Sequence, residues 1–156
     1  MDKLAVHTVI DSVTFVLETI GLVPVSVEKC SLEQEHTFFG DIVGSMSLSG
    51  VGVDGTLILG FETGTALAVV SAMFGEDYTE LDEISKSMIA ELANMVCGRV
   101  KVGLSEQGYC IGMAIPELYF PGEPLPLALS QEGIHRVLCS VQQGEFQVSV
   151  DFGAVH

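Results

Sequence analysis

The first twenty residues of the chain keep a helical beat. In "KLAVHTVIDSVTFVLETIGL", 3–22, Leu4, Val6, Val9, Ile10, Val13, Val16, Leu17 and Ile20 recur at three- and four-residue spacing, which predicts an amphipathic helix. Gly21 can end it, and Pro24 follows. "PVSVEKC" alternates as a strand, and "GDIVGSMSLSG" and "DGTLILGFE" predict two more, joined as a hairpin across "GVGVDG". "TGTALAVVSAMF", 63–74, predicts a second helix closed by Gly75. The acidic run "EDYTELDE" leads into a long helix from about Asp82 to Leu104 that stops near Gly108, with negative charge where the helix dipole favours it. Downstream, "YCIGMAIPELYF", "IHRVLCSVQQ" and "EFQVSVDF" read as three strands, the last two flanking a turn at Gly144. Pro121, Pro124 and Pro126 mark "PGEPLPLALSQEG" as a loop.

Helix, three strands and a helix are therefore followed by a helix and three strands. That order predicts one α+β domain over 1–156, a six-stranded antiparallel sheet with long helices packed on one face. It also suggests duplicated helix-plus-strands units. Laid over each other, "TFVLETIG" matches "SMIAELAN", so that Thr14 meets Ser87, Glu18 meets Glu91 and Gly21 meets Asn94.

Composition narrows the function. Apolar residues make up 48% of the chain and mean hydropathy is +0.48, yet no stretch reaches the roughly 18 uninterrupted apolar residues of a membrane helix. The best candidate, 56–75, is broken by Gly60, Glu62 and Gly64, which assigns the apolar excess to a sheet-on-helix core or an oligomer interface. "MDKLAVHTVIDSV" lacks the basic region and cleavage site of a secretory leader. Cys30, Cys97, Cys110 and Cys139 form no CxxC, which argues against a zinc site or disulfide framework and fits reduced thiols in a cytoplasm. A net charge of -15 would be repelled by nucleic acid and by an anionic membrane, so neither is expected as a partner. No glycine-rich loop opens a helix after a strand, so neither dinucleotide nor P-loop binding is indicated. His7, His36, His135 and His156 lie far apart without ligands at metal spacing. Cys97 reads as a small buried thiol rather than a nucleophile. Arg99 and Lys101 admit two readings, contact with a phosphate or partner and compensation of the helix C-terminus.

The candidate chemistry lies in "SKSMIAELANMVCGRV", 85–100. At about 100° per residue, Ser87, Glu91, Asn94 and Gly98 share one face, while Met88, Ile89, Leu92, Val96 and Val100 occupy the broad opposite arc. A buried helix thus carries a narrow strip of hydroxyl, carboxylate and amide. Ordinary solvent exposure would explain Glu91 and Asn94. Two details point further. Asn is a poor mid-helix residue, and Gly98 costs about 1 kcal/mol against Ala. Together they suggest a flat polar surface kept for an approaching partner.

This stretch resembles the signature of the CheC/CheX/FliY chemotaxis phosphatases: Asp or Ser, three residues, Glu, two residues, Asn, then about twenty-two residues to a Pro. Ser87, Glu91, Asn94 and Pro116 match it, with twenty-one residues between Asn94 and Pro116. "GDIVGSMSLSG", "GTLILGFETGTALAVVSAMFGED" and the acidic stretch resemble the CheX branch in kind and order, so the likeness spans about 3–152. The resemblance implies a phosphatase acting on a phosphorylated response regulator of the CheY kind. The phosphoryl group would sit on an aspartate of the partner's receiver domain, beside the partner's own Mg2+, and the phosphatase would need no metal or cofactor itself. Asn94 would orient the attacking water, Glu91 would engage a receiver lysine, and Ser87 and Pro116 would support the site. Gly21 leaves the first helix without an amide, which implies a single active site. CheX likeness also implies a homodimer. The rival readings are a non-catalytic adaptor of the same fold that sequesters a regulator, and a structural part of a motor or secretion complex, which would need extra binding segments.

Overall fold

The amphipathic opening folds as α1, Lys3–Phe15, and remains helical through one wider π-helical turn, Val16–Ile20. Ala5, Val9, Val13, Val16 and Leu17 are its buried stripe. The computed structural model describes residues 3–20, 23–33, 40–48, 50–51, 55–112, 115–124 and 134–151, so Gly21, His36 and most of the proline-rich loop lie outside the described residues. The remaining elements are β1 (Ser26–Glu33), β2 (Ile42–Ser47), β3 (Gly50–Val51), β4 (Thr56–Phe61), α2 (Thr63–Phe74), α3 (Glu83–Glu106), β5 (Cys110–Ile111), β6 (Glu117–Tyr119), β7 (Ile134–Val141) and β8 (Gly144–Asp151).

Six strands form one sheet in the order β1-β7-β8-β4-β2-β6, with every neighbouring pair antiparallel. Exchanging β1 with β6, β2 with β7 and β4 with β8 maps this order onto itself reversed. The sheet therefore has the pseudo-twofold arrangement that duplicated units require. Alternation assigns one face to the core: Leu57, Leu59 and Phe61 of β4, Val137, Cys139 and Val141 of β7, and Phe146, Val148 and Val150 of β8 join one cluster with Val9 and Val13 of α1, Val69 and Val70 of α2, and Leu92, Val96 and Val100 of α3. The α+β expectation, with helices gathered on that face, is met.

Capping sets the helix limits. Gly75 ends α2 in the left-handed region, φ 72°, and returns its N–H to the Ser71 carbonyl at 3.0 Å. At the other end Glu62 makes no side-chain cap. Asp41 does so from 22 residues away, accepting the Thr63 N–H and the Thr63 hydroxyl, each at 2.8 Å. Asp82 caps α3 by accepting the Ser85 N–H at 2.8 Å, while its own N–H donates to the Ser85 hydroxyl oxygen at 2.9 Å. The backbone N–H of Ser85 holds the Asp82 carboxyl below its ordinary value.

One strand assignment needs correction. The run "YCIGMAIPELYF" is not a single strand. Its start, β5, pairs with β3 in a separate two-stranded ribbon, and its end, β6, pairs with β2 at the sheet edge. Pro116 stands directly before β6 and has no N–H to give a ladder. The long helix also runs one half-turn past Leu104, to Glu106.

Candidate active site

α3 has a rigid seat. Ile89, Leu92, Ala93, Val96, Val100 and Leu104 are all buried, and Ile42, Gly44, Leu59, Phe61 and Leu118 of the sheet close around Ile89, Leu92 and Ala93. The far side of the helix carries Ser87, Glu91, Asn94 and Gly98, every one of them exposed. The sequence's helical stripe is therefore a surface stripe in the folded chain. Glu91 and Asn94 are about 4.5 Å apart along the axis, one turn, with side chains on neighbouring tracks.

The hydrogen bonds separate the roles. The Ser87 hydroxyl donates to the Glu83 carbonyl at 2.9 Å, so it is engaged by its own helix. Glu91 and Asn94 have no hydrogen-bond or ion-pair partner among the described residues. An exposed carboxylate and an exposed amide on the outer side of a half-buried helix are free to meet an incoming molecule.

The strand that follows Pro116 packs along α3. Lys86 of α3 lies over the Phe120 ring, 5.1 Å from its centroid, and Leu118 packs beside Ile89 and Ala93. The segment thus climbs α3 as it runs back from Phe120. Ile115, directly before Pro116, is 86% exposed, a large apolar group that sequence reading did not single out. Ile84, 63% exposed at the start of α3, was missed in the same way. Periodicity could have flagged Ile84, because it falls off the buried arc.

Two other candidates take different places. The Arg99 guanidinium lies over the Phe15 ring at 4.2 Å, so this exposed side chain is directed toward α1 rather than along the stripe. Lys101 is half-buried on the track of Asn94, two turns further on. Burial pushes the Cys97 thiol up to about 12, so it is protonated at neutral pH and unsuited to nucleophilic attack. Cys139 is buried as well, and Cys110 is exposed. Among the described residues no group of three or more His, Cys, Asp or Glu side chains is placed to hold a metal ion, and no helix is long and apolar enough to cross a membrane.

Comparison with known proteins bears on this geometry. The family described as chemotaxis phosphatase CheX matches residues 42–135, a span that includes all of α3 and Pro116. The chain is 34% identical over 118 residues to the CheY-P phosphatase CheX of Thermotoga maritima, covering 74% of this chain and 75% of that protein. Its fold is similar to the crystal structure of a CheC-like superfamily protein from Shewanella sp. PV-4, with a TM-score of 0.87, 26% identity, and coverage of 99% of this chain and 100% of that one. It is also similar in fold to CheX in the CheX-CheY-BeF3-Mg2+ complex from Borrelia burgdorferi, with a TM-score of 0.78, 22% identity, and coverage of 96% and 98%.

Proposed function

The chain belongs to the chemotaxis phosphatase CheX family, and we propose that it hydrolyses the aspartyl phosphate of a CheY-like receiver domain at the exposed stripe of α3. The observation that carries this reading is the pairing of Glu91 with Asn94, one turn apart, exposed and without a partner among the described residues, on a helix whose other side is buried.

Phosphoryl transfer asks a protein mainly for positioning and charge stabilisation. A neutral amide suits that task. The Asn94 carbonyl accepts a hydrogen bond from the attacking water and its N–H groups can donate one, and the group brings no negative charge to repel the phosphoryl oxygens. Water then attacks phosphorus in line with the bond to the receiver's aspartate. That P–O bond breaks, leaving the free carboxylate and inorganic phosphate. Glu91 pairs with a lysine of the receiver and fixes the docking angle. Ser87 holds the first exposed turn, and Pro116 shapes the segment that enters β6. Mg2+ belongs to the receiver in this scheme, and the phosphatase contributes no metal of its own. A cytoplasmic setting follows from a receiver as substrate.

The test is direct. Purified protein mixed with phosphorylated receiver domains from its own genome should speed phosphate loss from at least one of them. Tight binding without phosphate loss would make the chain an adaptor that sequesters a regulator.

We also propose a homodimer, supported by the 48% apolar composition of a chain with so high a net charge and by family membership. Sedimentation at micromolar concentration should return about twice the 16.6 kDa chain mass, and a clean monomer would overturn it.

A further inference from the structure

Gly98 lies in the interior of the 24-residue α3, one turn past Asn94 and offset from it by about 40° around the axis. Glycine there loosens a helix relative to alanine, so its presence calls for a reason. The same helix supplies a contrast. At Gly103 an added Cβ would come within 2.7 Å of Thr8 Cγ2 and 3.4 Å of Ser12 Oγ. The missing side chain at Gly103 is what lets α1 close against α3. At Gly98 an added Cβ would meet nothing within 4 Å. No described part of the chain uses the gap, and the helix runs on regularly through it. The space opens outward, on the face that carries Glu91 and Asn94.

We propose that Gly98 is a close-approach residue. The receiver's backbone beside its phosphorylated aspartate comes into van der Waals contact with α3 there, and the absent side chain sets how deeply Asn94 inserts. The inference rests on the phosphatase reading and adds a specificity-determining position to it. Gly98 is a positioning residue, because it acts through the depth of Asn94 rather than on the reacting atoms. A methyl group would stand about 1.5 Å above the Cα surface. Displacing a positioned group by about 1 Å costs up to 10²-fold in rate.

The experiment compares wild type, Gly98→Ala, Gly98→Leu and a control, Gly64→Ala, whose site in α2 is equally open but lies off the stripe. Affinity is measured for a cognate receiver activated with beryllofluoride and Mg2+, and kcat/KM for the phosphorylated receiver. Gly98→Ala should raise the melting temperature by about 2–4 °C, because the helix gains propensity and loses no contact. It should lower both affinity and kcat/KM about tenfold, and Gly98→Leu about 10²-fold. Gly64→Ala should leave both within about twofold of wild type. A stabilised Gly98→Ala with wild-type affinity and rate would overturn the inference and leave the phosphatase reading standing. A destabilised Gly98→Ala would also overturn it, since the glycine would then serve its own chain. Wild type that binds the receiver without hydrolysing it would fail the catalytic reading alone, with the affinities still testing Gly98. Wild type that binds no activated receiver would overturn both.

Discussion

Asn94→Ala is expected to slow receiver dephosphorylation by roughly 10²-fold or more, about 3 kcal/mol in the barrier, while affinity for the activated receiver stays within about threefold of wild type. Asn94 has no partner among the described residues, and Leu92 and Val96 beside it keep α3 seated, so the substitution should remove the proposed reacting group without disturbing the fold. An amide that only orients water contributes to the transition state and little to the ground state, which is why the loss should fall on kcat. Asn94→Asp should fail as well, because a carboxylate faces the phosphoryl oxygens with like charge. Glu91→Ala should differ in kind, weakening docking and turnover together once the receiver's lysine loses its partner. Glu18→Ala serves as the internal comparison: Glu18 is the exposed counterpart of Glu91 on the first helix, but Gly21 supplies no amide beside it, so the rate should hold. Single-turnover hydrolysis measured alongside binding separates these cases. Equal rates for wild type and Asn94→Ala would remove Asn94 from the chemistry.

The stripe on α3 was legible in the sequence because both of its signals are local. Helical periodicity alone separates Leu92, Val96 and Val100 from Ser87, Glu91 and Asn94, and the structure buries the first set and exposes the second. The limits of α2 were legible for the same reason, since Gly75 takes the left-handed conformation that ends a helix. What depends on distant partners was not. Nothing around Asp41 announces that it caps a helix 22 residues later. Alternation in 109–120 marks extended chain but cannot say which strand each half will pair with, so β5 and β6 read as one. The direction of Arg99 depends on Phe15 arriving from α1, which no reading of α3 contains. The sheet order is of this kind too. Duplication hinted at two equivalent halves, but only the folded chain places β1 beside β7 and β6 beside β2.

That order puts one aromatic pair at its centre, and Phe146→Ala should be among the most damaging substitutions in the chain. Phe61 and Phe146 are direct cross-strand partners on β4 and β8, the two strands exchanged at the middle of the pseudo-twofold sheet. Their rings stack with centroids 5.1 Å apart and planes inclined by 16°. Phe146 is fully buried, and Phe61 continues the contact to the sheet residues that close around Ile89 and Leu92 of α3. Truncation removes the transfer free energy of a ring, leaves a cavity against strands that cannot easily collapse, and abolishes the ring pair. The expected cost is about 3–5 kcal/mol, against a total stability of about 5–15 kcal/mol for a domain. Urea unfolding should show a lower midpoint with an unchanged slope. Phe146→Leu, which keeps most of the volume, should lose clearly less. The effect reaches function through the seat of α3 and not through the reacting groups. Folded Phe146→Ala protein, assayed well below its midpoint, should therefore keep a kcat within a few-fold of wild type while unfolding at much lower denaturant. A loss under about 1 kcal/mol would mean that the sheet refills the space and that the centre of the core lies elsewhere.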